Sequence, residues 1–154
     1  MNKISEFFAG LNWVVKPLMD SPFHWPLSHY VALIKFTGRQ SGREFITPIA
    51  YNRFGDTVYI ALSDTTNRKW WRNYREPWPM QIKLNGKWLG GTAVVIDPGS
   101  AEFKAGFEQI FNKRSFIARI FKIKAYDKKL GLTEAQMALM LKECNGLVRM
   151  EIRK

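Results

Sequence analysis

The stretch "MQIKLNGKWLGGTAVVI", residues 80–96, decides the fold. Met80, Ile82 and Leu84 alternate with Gln81 and Lys83, which is the period of a strand with one apolar face. Asn85-Gly86 is the favoured two-residue turn, because both positions tolerate positive φ. The return arm contains Gly90-Gly91, which predicts either a bulge or a close approach of another backbone.

Upstream, "YVALIKF" (30–36) reads as a buried strand and "FITPIAY" (45–51) as its partner. "NRFGD" (52–56) reads as a turn and "TVYIALS" (57–63) as a third strand. Downstream of Pro98 the period becomes helical. Phe103, Phe107, Ile110 and Phe111 make one stripe, and Phe116, Ile117, Ile120 and Phe121 make another. In "LTEAQMALMLKECNG" (132–146), Thr133 and Gln136 form a capping box, and Asn145-Gly146 signals the stop. Leu147–Ile152 alternates again and predicts a closing strand.

At the start of the chain, Ile4, Phe7, Phe8, Leu11, Val15 and Leu18 fall at helical spacing. That helix (3–19) either docks on the core or lies on a membrane surface. "SPFHWPLS" (21–28) is a connector. The expectation is one α+β domain over 1–154: the N-terminal helix, a small barrel over about 30–97, helices over about 99–144 and a final strand at 147–152. Six antiparallel strands, largely joined by hairpins, make the barrel.

With 24 Lys+Arg against 13 Asp+Glu, the net charge is +11, which favours anionic partners. Cys144 is the only cysteine, so no internal disulfide can form. With no transmembrane span and no signal-peptide pattern, this predicts a cytoplasmic protein, with membrane association left open through the first helix. His24 and His29 with one cysteine make no metal pattern. No nucleophile elbow, Walker or Rossmann motif is present, so an enzyme of this sequence needs a cofactor for the hard chemistry.

Two segments carry chemistry. In "TGRQSGRE" (37–44), two glycines allow a nest of main-chain N–H groups, and Arg39, Ser41 and Arg43 add donors for an anion. The alternative is a basic hairpin loop facing solvent. In "TNRKWWRNYREPWP" (66–79), Thr66 or Asn67 caps a short helix that Pro77 ends. On an α-helix Arg68, Arg72 and Arg75 share one face, Trp70 and Tyr74 nearly the opposite one, and Lys69 and Asn73 a flank. Trp71 falls between faces, beside cations, where it suits a flat, negatively charged ligand or a stacked nucleobase. The absence of a continuous basic stripe ranks nucleic acid low.

Together, "TGRQSGREFITPIAYNRFGDTVYIALS" and "KWWRNYREPWPMQIKLNGKWLGGTA" resemble the deazaflavin-dependent nitroreductase and quinone-reductase family of the split β-barrel, FMN-binding-like superfamily. The match runs from about Val31 to Ile96. The resemblance implies an oxidoreductase that passes a hydride from reduced coenzyme F-420 to a small-molecule acceptor: a quinone, a nitroaromatic or an activated alkene. It implies that Arg39, Ser41 and Arg43 hold the phosphate and acidic tail, with Gln40 where the family often carries a cation. It sets Thr47, Pro48 and Ile49 against the ring system with Ala61 and Ser63 nearby, and closes Lys69, Trp70, Trp71 and Asn73 over the cofactor. Tyr126 is either a proton donor to substrate or a tyrosine at the core rim. FMN is the second cofactor. A binding protein for FMN, haem or a lipid-like ligand is the non-catalytic alternative on the same barrel. The oligomeric state stays open.

Overall fold

The computed structural model describes residues 29–62, 68–144 and 146–154. The expected N-terminal helix and connector, Ser63, the caps Thr66 and Asn67, and Asn145 lie outside the described residues.

Seven strands form one antiparallel sheet: β1 (Val31–Thr37), β2 (Glu44–Ala50), β3 (Asn52–Phe54), β4 (Thr57–Leu62), β5 (Trp78–Leu84), β6 (Lys87–Ile96) and β7 (Gly146–Ile152). Their order is β2-β1-β5-β6-β7-β4-β3. Between β4 and β5 sits a five-residue 3-10 helix, Trp70–Tyr74. Helices α1 (Ala101–Lys113), α2 (Ser115–Ile120) and α3 (Glu134–Glu143) lie between β6 and β7.

The strand count corrects the expected six. Asn52–Phe54, expected as turn, is a strand because it pairs with β4, Asn52 opposite Tyr59 and Phe54 opposite Thr57. Tyr51 alone separates it from β2, and its N–H donates to the Tyr30 carbonyl at 3.1 Å. The two edge strands of the sheet are therefore neighbours in the chain. That link curls the sheet toward closure, with β2 touching β4. Pro48 fits β2 because an edge strand tolerates a missing N–H.

The hairpin of β5 and β6 has the expected turn, with φ of 50° at Asn85 and 77° at Gly86. Its pairing runs unbroken from Leu84–Lys87 to Trp78–Ala93, so there is no bulge at the glycine pair. Gly91 marks a close approach instead: a Cβ there would lie 2.1 Å from the Glu151 carbonyl oxygen of β7.

Alternation splits the apolar residues between two cores. Ala32, Ile34 and Phe36 of β1 point into the barrel with Ile49, Ile60, Ile82 and Met150. On the outer face of β4 and β7, Tyr59 and Leu147 meet Phe103, Phe107, Ile110 and Phe111 of α1 and Phe121. Gly106 permits this docking, since a Cβ there would sit 2.6 Å from a Leu147 methyl. The expected capping box starts α3, with Thr133 and Gln136 exchanging bonds of 3.2 and 3.0 Å. The stop differs. Gly146 is already strand, and it is small because a Cβ would press on Leu62 at 3.1 Å.

Cys144, fully buried, caps α3 with its Sγ against the Leu62 and Gly146 carbonyls at 3.2 and 3.1 Å. Burial pushes its thiol from an ordinary value of 9.0 up to about 11. Because the folded thiol holds its proton more tightly than the unfolded one, its contribution to stability is fully present below pH 9 and is lost as the pH climbs to 11, at about 1.4 kcal/mol per pH unit. Between pH 9 and 10, wild type is expected to lose about 1 kcal/mol more than Cys144→Ala in urea unfolding. Parallel losses would show that the thiol does not titrate this way.

Candidate functional site

The loop between β1 and β2 is a closed turn. The Gly38 N–H donates to the Arg43 carbonyl at 2.8 Å, and the Gly42 N–H to the Gly38 carbonyl at 2.9 Å. Gly42 has φ of 65°, the left-handed conformation that favours glycine. Gly38 must stay small, since a Cβ would lie 2.6 Å from Ser41 Oγ. The Arg43 N–H donates to that Oγ at 3.2 Å, and the Arg39 N–H donates to Asn73 Oδ1 at 2.9 Å. The expected nest is thus largely spent on holding the loop's own shape, and anion binding falls to side chains.

Across from the loop lies the 3-10 helix. Tyr74 is its buried anchor; its hydroxyl donates to the Pro79 carbonyl at 3.1 Å, and burial raises its pKa far above the ordinary value, against the Arg39 charge. Trp70 packs edge-on to Tyr74 at 5.9 Å and near Phe36 at 6.3 Å. Phe36 in turn stacks on Phe45 at 5.6 Å, and Phe45 stays 42 % exposed. An apolar ring that open, stacked on a core ring, offers a flat surface to a ligand.

Between loop and helix is a cleft of about 630 Å³. Phe36, Phe45 and Trp70 supply aromatic walls; Lys69, Arg72 and Arg75 supply cations. Gly38, Arg39, Gln40, Ser41 and Asn73 complete the described lining, and none of these described residues carries a carboxylate. Three residues per turn explain the cations. In a 3-10 helix positions i and i+3 eclipse, so Lys69, Arg72 and Arg75 follow one edge. The α-helical reading put Arg72 and Arg75 with Arg68 on a separate face. Arg68 instead turns back to the Pro48 carbonyl at 3.3 Å.

The cleft brings together six expected site residues: Arg39, Gln40, Ser41, Lys69, Trp70 and Asn73. The others stand elsewhere. Arg43 is exposed on the loop outside the lining. Thr47, Pro48 and Ile49 belong to β2, the last two buried, and Ala61 belongs to β4. Trp71 is a platform rather than a wall: the Arg72 and Arg75 guanidinium groups lie 5.9 and 5.4 Å from its ring centre. Tyr126 belongs to the helical side. It sits edge-on to Phe111 at 5.4 Å and donates to Asn112 Oδ1 at 2.8 Å. Burial, then the Glu108 and Asp127 carboxylates, raise its pKa, so it keeps that proton at neutral pH. The side chains of Phe36, Phe45, Arg72 and Arg75 also line the cleft, although the family resemblance does not set them among the cofactor-binding residues.

Aromatic walls lined with cations fit a flat ring system carrying negative charge. Among the described residues the same walls contain no His, Cys, Met or Tyr, the side chains that usually ligate haem iron. Among the described residues no cluster of His, Cys, Asp and Glu could hold a metal ion. Nor is any described helix long and apolar enough to cross a membrane.

The fold recurs in solved structures. An F420-H2 dependent reductase (FDR-A) shares 13% identity with a TM-score of 0.52, over 79% of this chain and 93% of its own. HutZ, the haem storage protein from Vibrio cholerae, shares 12% identity with a TM-score of 0.54, over 88% and 91%. A chain solved as a domain-swapped dimer shares 13% identity with a TM-score of 0.52, over 79% of each. At such identities the likeness is one of fold. No curated protein matches the chain significantly. In sequence, the F420H(2)-dependent quinone reductase family matches residues 23–116, more than half of the chain and the whole of the loop, the 3-10 helix and the β5–β6 hairpin. The protein therefore belongs to the F420H(2)-dependent quinone reductase family, oxidoreductases whose reductant is the deazaflavin F-420.

Proposed function

We propose that the protein transfers a hydride from reduced coenzyme F-420 to a quinone or a similarly electron-poor small molecule, with the cofactor seated in the cleft between the Gly38–Arg43 loop and the Trp70–Tyr74 helix. The observation that carries this reading is the pairing of three aromatic rings with four cationic side chains, Arg39 among them, and no carboxylate among the described lining residues. Reduced F-420 supplies the hydride; the protein supplies orientation and a dry surface. Phe36, Phe45 and Trp70 would receive the ring system, and Lys69, Arg72 and Arg75 its phosphate and acidic tail. Gln40 and the Ser41 hydroxyl would add neutral donors. Tyr126, engaged with Asn112, is read as packing rather than as a proton donor.

The test is a fluorescence titration with F-420 and, separately, FMN, followed by oxidation of reduced F-420 with a soluble naphthoquinone. F-420 is expected to bind at least tenfold more tightly than FMN, because its tail adds negative charge to the single phosphate FMN carries. Tighter FMN binding would move the protein to flavin chemistry. Tight F-420 binding without quinone reduction would leave a binding protein.

A further inference from the structure

We propose that Arg39 is a positioning residue: it fixes the 3-10 helix against the loop and does not serve as an anion ligand. This rests on reading the cleft as the F-420 site, and it departs from the phosphate role that the family resemblance implies for Arg39.

The guanidinium group is spent on main-chain carbonyls. Nε donates to the Asn73 carbonyl at 2.7 Å, and Nη2 donates to the Glu76 and Pro77 carbonyls, both at 2.9 Å. These three oxygens lie at the C-terminal end and exit of the helix, where carbonyls run out of N–H partners and negative partial charge gathers. The guanidinium also lies 4.2 Å from the centre of the Trp78 ring. Trp78 is itself anchored, its Nε1 donating to the Thr37 carbonyl at 2.7 Å. The main chain adds a second tie. The Arg39 N–H donates to Asn73 Oδ1 at 2.9 Å, while Asn73 Nδ2 donates to the Trp70 carbonyl at 2.8 Å.

An arginine grips a phosphate or carboxylate bidentately through Nε and one Nη, or through both Nη atoms. Here both edges include Nη2, whose two hydrogens are already committed. Only Nη1 is left, as a single-nitrogen contact. Arg39 therefore acts through the helix. By setting where Trp70–Tyr74 sits, it sets where Lys69, Arg72 and Arg75 face the loop.

Lysine separates the two roles, since it keeps the charge but cannot span three carbonyls from one planar fork. Arg39→Lys, Arg39→Ala and Arg72→Ala are compared in two measurements. One is F-420 affinity across a salt series; the other is amide hydrogen exchange in the protein alone. Both Arg39 variants are expected to lose about tenfold in affinity with the salt slope of wild type, whereas Arg72→Ala flattens the slope. Both are also expected to speed exchange at Trp70–Tyr74 about tenfold while β4 and β7 stay protected. Wild-type affinity in Arg39→Lys, a flattened slope in Arg39→Ala, or unchanged exchange at Trp70–Tyr74 would overturn the proposal. Absence of F-420 binding to wild type would instead sink the cleft reading, and the exchange data alone would then decide the role of Arg39.

Discussion

Gly91→Ala is expected to cost about 3 kcal/mol or more and to lower the melting temperature by roughly 10 °C. The added Cβ would lie 2.1 Å from the Glu151 carbonyl oxygen and 2.9 Å from its carbon. Both are backbone atoms of a central strand, so no side-chain rotamer relieves the clash. Relief requires β6 and β7 to part where Gly91 faces Ile152 and Thr92 faces Glu151. Gly90→Ala is the internal control. Nothing lies within 4 Å of a Cβ there and its φ is not positive, so the change is expected to be neutral or to stabilise by up to about 1 kcal/mol. Thermal melts of the two variants check the pair. Equal melting temperatures would mean that the sheet is not this tight at Gly91.

The second large effect concerns binding. Arg72→Ala combined with Arg75→Ala is expected to weaken F-420 binding 30- to 100-fold at low salt, or about 2 to 3 kcal/mol for two charge-assisted contacts. Because both side chains are exposed and rest on Trp71, the fold should lose no more than about 1 kcal/mol. The gap should narrow as salt rises, since wild type loses its ionic contacts and the variant has fewer to lose. Titration at two ionic strengths, beside a melting curve, measures all three quantities. A double variant that binds as wild type does would remove the cation edge from the cofactor site.

How legible this was in the sequence depended on where each signal resides. The β5–β6 hairpin is written in its own residues: alternation fixes its faces and Asn85-Gly86 its turn. The same holds for α1 and for the capping box of α3. Strand β3 was read as turn because three residues are too few for a period, and its identity comes from pairing with β4. The Gly90-Gly91 pair announced an anomaly, but only the position of Glu151, sixty residues on, separates the tight glycine from the open one.

The candidate site was half legible. Aromatic and basic residues in 66–79 marked the segment, and the α-helical period then sorted them wrongly. A 3-10 helix turns every three residues, so Arg72 and Arg75 join Lys69 rather than Arg68. Phe45 looked like an ordinary first residue of a strand, and its 42 % exposure depends on what lies opposite. The partners of Arg39 are carbonyls 34 to 38 residues away, and a carbonyl leaves no trace in residue identity.

The place of β7 has a consequence for how the chain matures. β7 lies between β6 and β4, pairing Thr57 with Glu151 and Ile96 with Leu147, yet it emerges from the ribosome after every other strand. Until then the nascent chain can hold a four-strand piece, β2-β1-β5-β6, and a two-strand piece, β4-β3, joined through Tyr51. Each has an open flank, and the flank of β4 is the apolar "TVYIAL". Arrival of Gly146–Ile152 covers both flanks at once. Such long-range pairing makes the final step slow relative to hairpin formation, and the interval before it is when the chain is most exposed to aggregation.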